Sequence, residues 1–237
     1  MAYSKSKARL SLENNLDRIV ARTRLAEIKV IPVDVREYVI AASIFLSHAE
    51  LENYIADVFS LVAKGAVDTY MAGSPMPKEL RAHLFLTKSN LKSAIGKYLG
   101  GSAERDLIKS VRSALDGEAV KLISTPAAPP LVSGKDIYGT IKYPSEENIK
   151  KLFFRLGMDN IFNELGRILK QDAAALLESL GSLRTQLAHT GVLPGISAKD
   201  IRNRIGDTLR FAAALDRALY SFLCRSYSQQ YWNTHLK

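Results

Sequence analysis

Near the last third of the chain stands Ser182-Leu-Arg-Thr-Gln-Leu-Ala-His-Thr-Gly191, in which Arg184 precedes His189 by five residues. A guanidinium can neutralise the charge that builds up on a phosphodiester in a transition state. An imidazole can take and return a proton near neutral pH, with no metal required. No other stretch offers comparable chemistry. Gly100-Gly101 lacks the following lysine and the preceding strand of a phosphate-binding loop, and no Gly-x-Ser-x-Gly elbow occurs. His48, His83, His189 and His235 are far apart in sequence, so no paired-histidine metal motif exists, and neither metal nor cofactor is expected.

An apolar stripe positions the pair. Leu169, Ala173, Leu176, Leu180, Leu183 and Leu187 recur at intervals of four and three, which predicts one helix from about Gly166 to His189. Gly191 is suited to the position just past the helix end, placing His189 in the last turn. Five residues at ~100° each put His189 about 140° round the helix from Arg184. The two diverge on a straight helix, and converge only if the last turn unwinds or a second subunit completes the site. A short link through Pro194-Gly195 leads to a capping-box-like start, Ser197-Ala-Lys-Asp200. The terminal helix that follows carries Ile201, Ile205, Leu209, Ala212, Leu215, Leu219 and Phe222 on one face and extends towards Tyr231. So short a link predicts antiparallel neighbours, as in a bundle.

Upstream, a helix is predicted from about Ser11 to Lys29. A long one runs from near Asp34 to Lys64, ending at Gly65. Its segment Tyr38–Leu46 is apolar nearly all round, which predicts a central, buried position. Short basic helices follow around 78–85, 90–99 and 103–115, with loops at Met71–Pro77 and at the proline-rich Ser124–Pro130. Ser145 is a candidate N-cap for a helix reaching about Leu156, with Glu146 and Glu147 in its first turn. Period-two alternation is nearly absent. The expected fold is therefore all-α: a bundle of long antiparallel helices with an inserted region of shorter ones. Residues 1–237 are read as a single domain, with 66–142 as the insertion.

The surface is cationic. Thirty-three Lys and Arg oppose 24 Asp and Glu, a net charge of +9, with an isoelectric point near 9.6. Such a surface favours polyanions, chiefly nucleic acid or an anionic membrane. The single cysteine, Cys224, can form no intrachain disulfide and suits a reducing compartment. Neither a signal peptide nor a membrane-length apolar run is seen, so a cytoplasmic protein without membrane association is expected.

The segment Arg-Thr-Gln-Leu-Ala-His resembles the signature of the HEPN superfamily, in which an arginine precedes a histidine by four to six intervening residues. The layout is similar to the RiboL-PSP branch: an early long helix bearing Ser47-His-Ala-Glu-Leu-Glu-Asn-Tyr54, a motif helix ending in Ala-His-x-Gly, a short loop and a long terminal helix. The resemblance spans about 33–64 and 145–225. It implies a metal-independent endoribonuclease of the toxin or anti-phage effector type, working as a homodimer and possessing a cognate antitoxin or operon partner. His189 would be the acid or base and Arg184 the stabiliser of the phosphorane, with Thr185, Ser47, His48 and Glu50 in supporting or substrate-binding roles. Thr185 departs from the asparagine or small polar residue often found after the arginine. Gly191 stands where a subset of the family has a tyrosine that a partner enzyme modifies. The alternative is a non-catalytic helical module that binds RNA, nucleotide or protein through the same cleft. Arg202–Arg204 and Lys150–Lys151 are further candidates for phosphate contact. Tyr227, Tyr231 and Trp232 are expected to pack the terminal helix, with base stacking as the other use of such rings.

Overall fold

The computed structural model describes residues 2–71, 76–124, 132–141, 143–191 and 195–237, and of Met71 and Thr190 the backbone only. Most of the loop expected at 71–77, the proline-rich segment expected at 124–130 and Pro194 lie outside the described residues. Among the described residues there are helices and turns but no strand, so the protein is all-α. In chain order the helices are α1 (Lys7–Leu25), α2 (Val33–Met71), α3 (Lys78–Lys88), α4 (Leu91–Leu99), α5 (Glu104–Asp116), α6 (Gly134–Tyr138), α7 (Glu146–Phe154), α8 (Ile161–Leu169), α9 (Ala173–Thr190) and α10 (Ala198–Ser226). A 3-10 turn, Glu118–Leu122, follows α5, and a short turn with a π-helical end, Trp232–Leu236, closes the chain.

Two compact units divide these elements. The first comprises Met1–Val58, Ile141–Lys150 and Asn160–Lys237; the second comprises Phe59–Thr140 and Lys151–Asp159.

In the first unit α10 is the central helix. It packs against α1, α8 and α9, and Ile201, Ile205, Phe211, Ala212, Leu215 and Leu219 on it are all buried. Its start is the capping box read from the sequence. Ser197 Oγ accepts from the Asp200 N–H at 3.2 Å, and the Asp200 carboxylate accepts from the Ser197 N–H at 3.0 Å. Ser179 of α9 is tied to Arg204, and Gln171, just before α9, to Arg210 further along α10, so the two helices run antiparallel. Asp216 on α10, fully buried, gathers the amino-terminal segment. Its carboxylate accepts from Tyr3 Oη (2.6 Å), Ser6 Oγ (2.5 Å), the Ser6 N–H (3.1 Å) and Tyr54 Oη (3.3 Å). Burial, together with the adjacent carboxylate, raises both tyrosine pKa values. Ser6 Oγ also caps α1 by accepting from the Arg9 N–H, which is why that helix begins at Lys7 and not near Ser11. Trp232 is fully buried against Tyr3 and Tyr220, and its Nε1 donates to the Ser4 carbonyl at 2.9 Å. The ring therefore packs, as expected, and is not available to stack a base.

Three expectations are corrected. The stripe from Gly166 to His189 is two helices. Lys170 takes a left-handed conformation (φ 55°) to end α8, and Asp172 opens α9 by accepting from the Ala174 and Ala175 N–H groups. Leu169 thus belongs to α8. The long helix does not stop at Gly65 but runs on to Met71, with Thr69 Oγ1 bonded to the Gly65 carbonyl at 2.7 Å. Buried Val62, Ala63 and Ala66 flank that glycine, and their packing outweighs its cost in a helix of about 1 kcal/mol. Finally, Tyr38–Leu46 is not central. Ser43 and Ile44 are buried, but Tyr38 is 74% exposed, and Phe45 and Leu46 also face solvent.

In the second unit α3 packs on α4, α6 and the 3-10 turn, and α4 on α5. The ring of Phe59 meets that of Phe153 edge to face, with centroids 5.5 Å apart. Gly134 starts α6 where a Cβ would lie 2.3 Å from Ser60 Oγ, so only glycine permits that approach.

Candidate functional site

The end of α9 forms as the sequence implies. Gly191 adopts φ 69° and returns its N–H to the Leu187 carbonyl at 2.9 Å, a C-terminal cap that few residues but glycine adopt without strain. Ala173, Leu177, Leu180 and Leu187 are buried. Arg184 flanks this stripe half-buried, while Thr185 and His189 are exposed.

Arg184 is not isolated. Its guanidinium carbon lies 5.5 Å from the centre of the Tyr143 ring, a cation–π distance. The same ring stacks on His48 of α2, with centroids 4.9 Å apart and planes 28° from parallel. His48 is 6% exposed. Burial, and after it the charge of Arg184, pushes its imidazole pKa down to about 4. The ring is therefore neutral near pH 7, and its Nδ1–H donates to Glu52 Oε1 at 3.1 Å as a hydrogen bond between a neutral ring and a carboxylate. Arg184, Tyr143, His48 and Glu52 form one connected cluster from three segments of the chain. Gly181, one turn before Arg184, is what lets Tyr143 lie across α9: a Cβ there would come 2.6 Å from Tyr143 Oη.

Beside this cluster runs an open groove of about 780 Å³, whose lining includes Tyr143, Ser145, Glu178, Ser182, Thr185 and Gln186. Ser145 caps α7 there by accepting from the Asn148 N–H at 3.2 Å, as its position in the sequence suggests. A small cavity of about 20 Å³, with Ser47, His48, Leu183 and Arg204 in its wall, lies on the inner side of α9.

The remaining candidates are distributed as follows. Ser47 donates its hydroxyl to the Ile44 carbonyl of its own helix at 2.9 Å. Glu50 accepts from Asn15 Nδ2 of α1 at 2.8 Å, a tie between helices outside the Arg184 cluster. His189 makes no side-chain hydrogen bond among the described residues, and its exposed last-turn position keeps the angular separation from Arg184 that the helix dictates. Arg202 pairs with Glu27 at 2.9 Å. Two members of the cluster are not singled out by sequence. Glu52 carries a usable signal, its i,i+4 spacing from His48. Tyr143 carries none, since its role depends on tertiary placement. Among the described residues no three His, Cys, Asp or Glu side chains group as a metal site would, and no helix is long and apolar enough to cross a membrane.

An all-α protein whose motif-helix arginine packs on an aromatic ring is the class that fold and site define. The family model for RiboL-PSP-HEPN matches residues 10–221, and the chain belongs to that family, a setting of nuclease or RNA-related helical modules. No curated protein and no solved structure matched the chain.

Proposed function

We propose that this protein is a metal-independent endoribonuclease whose site combines Arg184 and His189. The observation that carries this reading is the placement of Arg184. It is held by Tyr143 beside a neutral, buried His48 and next to an open groove, with His189 exposed at the end of the same helix. In the proposed reaction the ribose 2′-oxygen attacks the adjacent phosphorus and the bond to the 5′-oxygen breaks. The products are a 2′,3′-cyclic phosphate and a 5′-hydroxyl. His189 takes the 2′-OH proton or supplies one to the leaving oxygen, and Arg184 stabilises the pentacoordinate dianion. His48, neutral and tied to Glu52, is a positioning residue for the Tyr143 ring and so for the guanidinium.

Completion of the site by a second copy agrees with two features. His189 diverges from Arg184 along one helix, and Val35, Tyr38, Phe45 and Leu46 recur at helical spacing as exposed apolar side chains on α2 in the same unit. We take that face as the dimer contact, and residues 66–142 as an insertion within one HEPN-like domain. A toxin or anti-phage role, with an antitoxin or operon partner, extends this reading on the strength of the family alone.

The test is a cleavage assay on total RNA in EDTA with product ends analysed. Wild type is expected to leave cyclic phosphates. Arg184→Ala and His189→Ala, shown by circular dichroism to be folded, are each expected to fall by about 100-fold or more. If all three behave alike, the site is a non-catalytic binding module.

A further inference from the structure

The second unit contains its own pocket of about 570 Å³ between α3, the start of α4 and the end of α7. Its wall carries Lys78, Lys92, Lys151 and Arg155 against a single acid, Glu79. Its floor is fixed by two bonds to the backbone of α6. His83 Nε2 donates to the Asp136 carbonyl at 3.0 Å, and Arg155 Nη1 donates to the Ile137 carbonyl. The remaining N–H groups of that guanidinium have no acceptor among the described residues. Burial and the positive Arg155 lower the His83 pKa, so the ring stands as a neutral donor there. At the rim, Phe154 is 57% exposed with Leu86 also at solvent. An exposed aromatic ring beside an apolar neighbour and four cations presents a flat face on which a base can stack, with positive charge on either side for phosphate. Cations alone would serve an acidic peptide equally well. The ring favours a ligand with a planar face and phosphates on either side of it, which is a nucleotide within a single strand.

We propose that this pocket is a second RNA-binding site that takes one nucleotide of a single strand, its base on Phe154 and its flanking phosphates on Lys78, Lys92 and Arg155. The inference rests on RNA being the substrate, as argued above, but not on Arg184 or His189 performing a cleavage.

The experiment uses the full chain carrying His189→Ala, so that RNA stays intact. It measures fluorescence anisotropy with a labelled 12-nucleotide oligo(U) containing one 4-thiouridine. Phe154→Ala is expected to weaken binding about tenfold. Lys78→Glu with Lys92→Glu is expected to weaken it further and to flatten the log–log salt dependence by about 1.4, because each phosphate left without its cation takes ~0.7 from the slope. Crosslinks should map to residues 78–92 or 151–155. Phe154 is exposed, so its replacement leaves the fold intact. The charge-matched control, Lys109→Glu with Arg112→Glu on exposed α5 positions, should have less effect than the pocket pair. The proposal is overturned if Phe154→Ala changes nothing, if the control pair weakens binding as much as the pocket pair, or if crosslinks fall only on the first unit. It is also overturned if labelled polyglutamate binds with the same lysine dependence and no Phe154 dependence, which would make this a site for an acidic protein. If wild type leaves RNA uncut while Phe154→Ala still weakens binding, the cleavage reading falls and this one stands.

Discussion

Gly181→Ala tests whether the Tyr143 ring sets the position of Arg184. In an ordinary helix the change would stabilise by about 1 kcal/mol, the difference in propensity between the two residues. Here the new methyl would sit 2.6 Å from Tyr143 Oη, which is 0.8 Å inside the 3.4 Å of ordinary contact. The ring cannot swing aside freely, because His48 stacks on it at 4.9 Å and Arg184 rests on it at 5.5 Å. Overpacking of this kind costs about 1–3 kcal/mol, so the single change should be neutral or destabilising by up to ~2 kcal/mol. Removing the hydroxyl relieves the clash, since the next ring atom, Cζ, is 3.7 Å from the added Cβ. Gly181→Ala in a Tyr143→Phe background should therefore recover the stabilisation of about 1 kcal/mol. The double-mutant cycle, measured by urea unfolding, should give a coupling energy of about 1–3 kcal/mol. Cleavage by Gly181→Ala alone should drop by about 100-fold, the cost of displacing a charge-stabilising group by ~1 Å, and the Tyr143→Phe background should restore most of it. If the two changes add to within ~0.5 kcal/mol, or if Gly181→Ala alone stabilises by the full helix increment, the ring does not constrain α9 and the positioning argument fails.

Acid should weaken the fold through His48. Its folded pKa of about 4 lies below the unfolded 6.5, so its contribution is complete above pH ~6.5 and is lost as pH falls through ~4. Each pH unit separating the two values is worth ~1.4 kcal/mol, so the loss approaches about 3 kcal/mol, and His48→Gln should flatten the stability–pH curve in that window. An unchanged slope would remove the case for a buried neutral ring. Asp216→Ala should cost about 3 kcal/mol or more in thermal or urea unfolding, because it strands the buried donors Tyr3, Ser6 and Tyr54; a loss under ~1 kcal/mol would contradict the staple described for Asp216. Phe45→Glu combined with Leu46→Glu should convert a dimer to a monomer in sedimentation velocity and abolish cleavage while leaving the far-ultraviolet spectrum intact. A double variant that stays dimeric places the interface elsewhere.

Features decided by a few consecutive residues are legible in the sequence. Gly191 ends α9, Ser197 with Asp200 opens α10, and Ser145 caps α7, because each depends on backbone groups within one turn. The break at 170–172 is hidden because the leucine spacing continues across it, while the signal that counts is the Asp172 side chain capturing two N–H groups. The run through Gly65 is hidden for the opposite reason: burial of distant partners overrides a local breaker. Tyr38–Leu46 shows that an apolar circumference does not fix what covers it. The membership of Tyr143 in the Arg184 cluster joins residues 48, 143 and 184, a relation that no local spacing encodes.

The staple at Asp216 and the Trp232 bond to Ser4 also order events during synthesis. The first unit is assembled from residues at both ends of the chain, whereas the second is drawn almost wholly from 59–140 with a short return at 151–159. At ~5–20 residues per second, the amino-terminal segment waits on the order of 10–50 s for α10 and Trp232 to be made. The second unit needs nothing beyond residue 159, whereas the first needs Asp216 and Trp232, which are made well after it. Folding of the unit that houses the candidate site thus waits until Asp216 and Trp232 have been made, and the nascent chain passes through its own ribosome, a particle made largely of RNA, before that site is built.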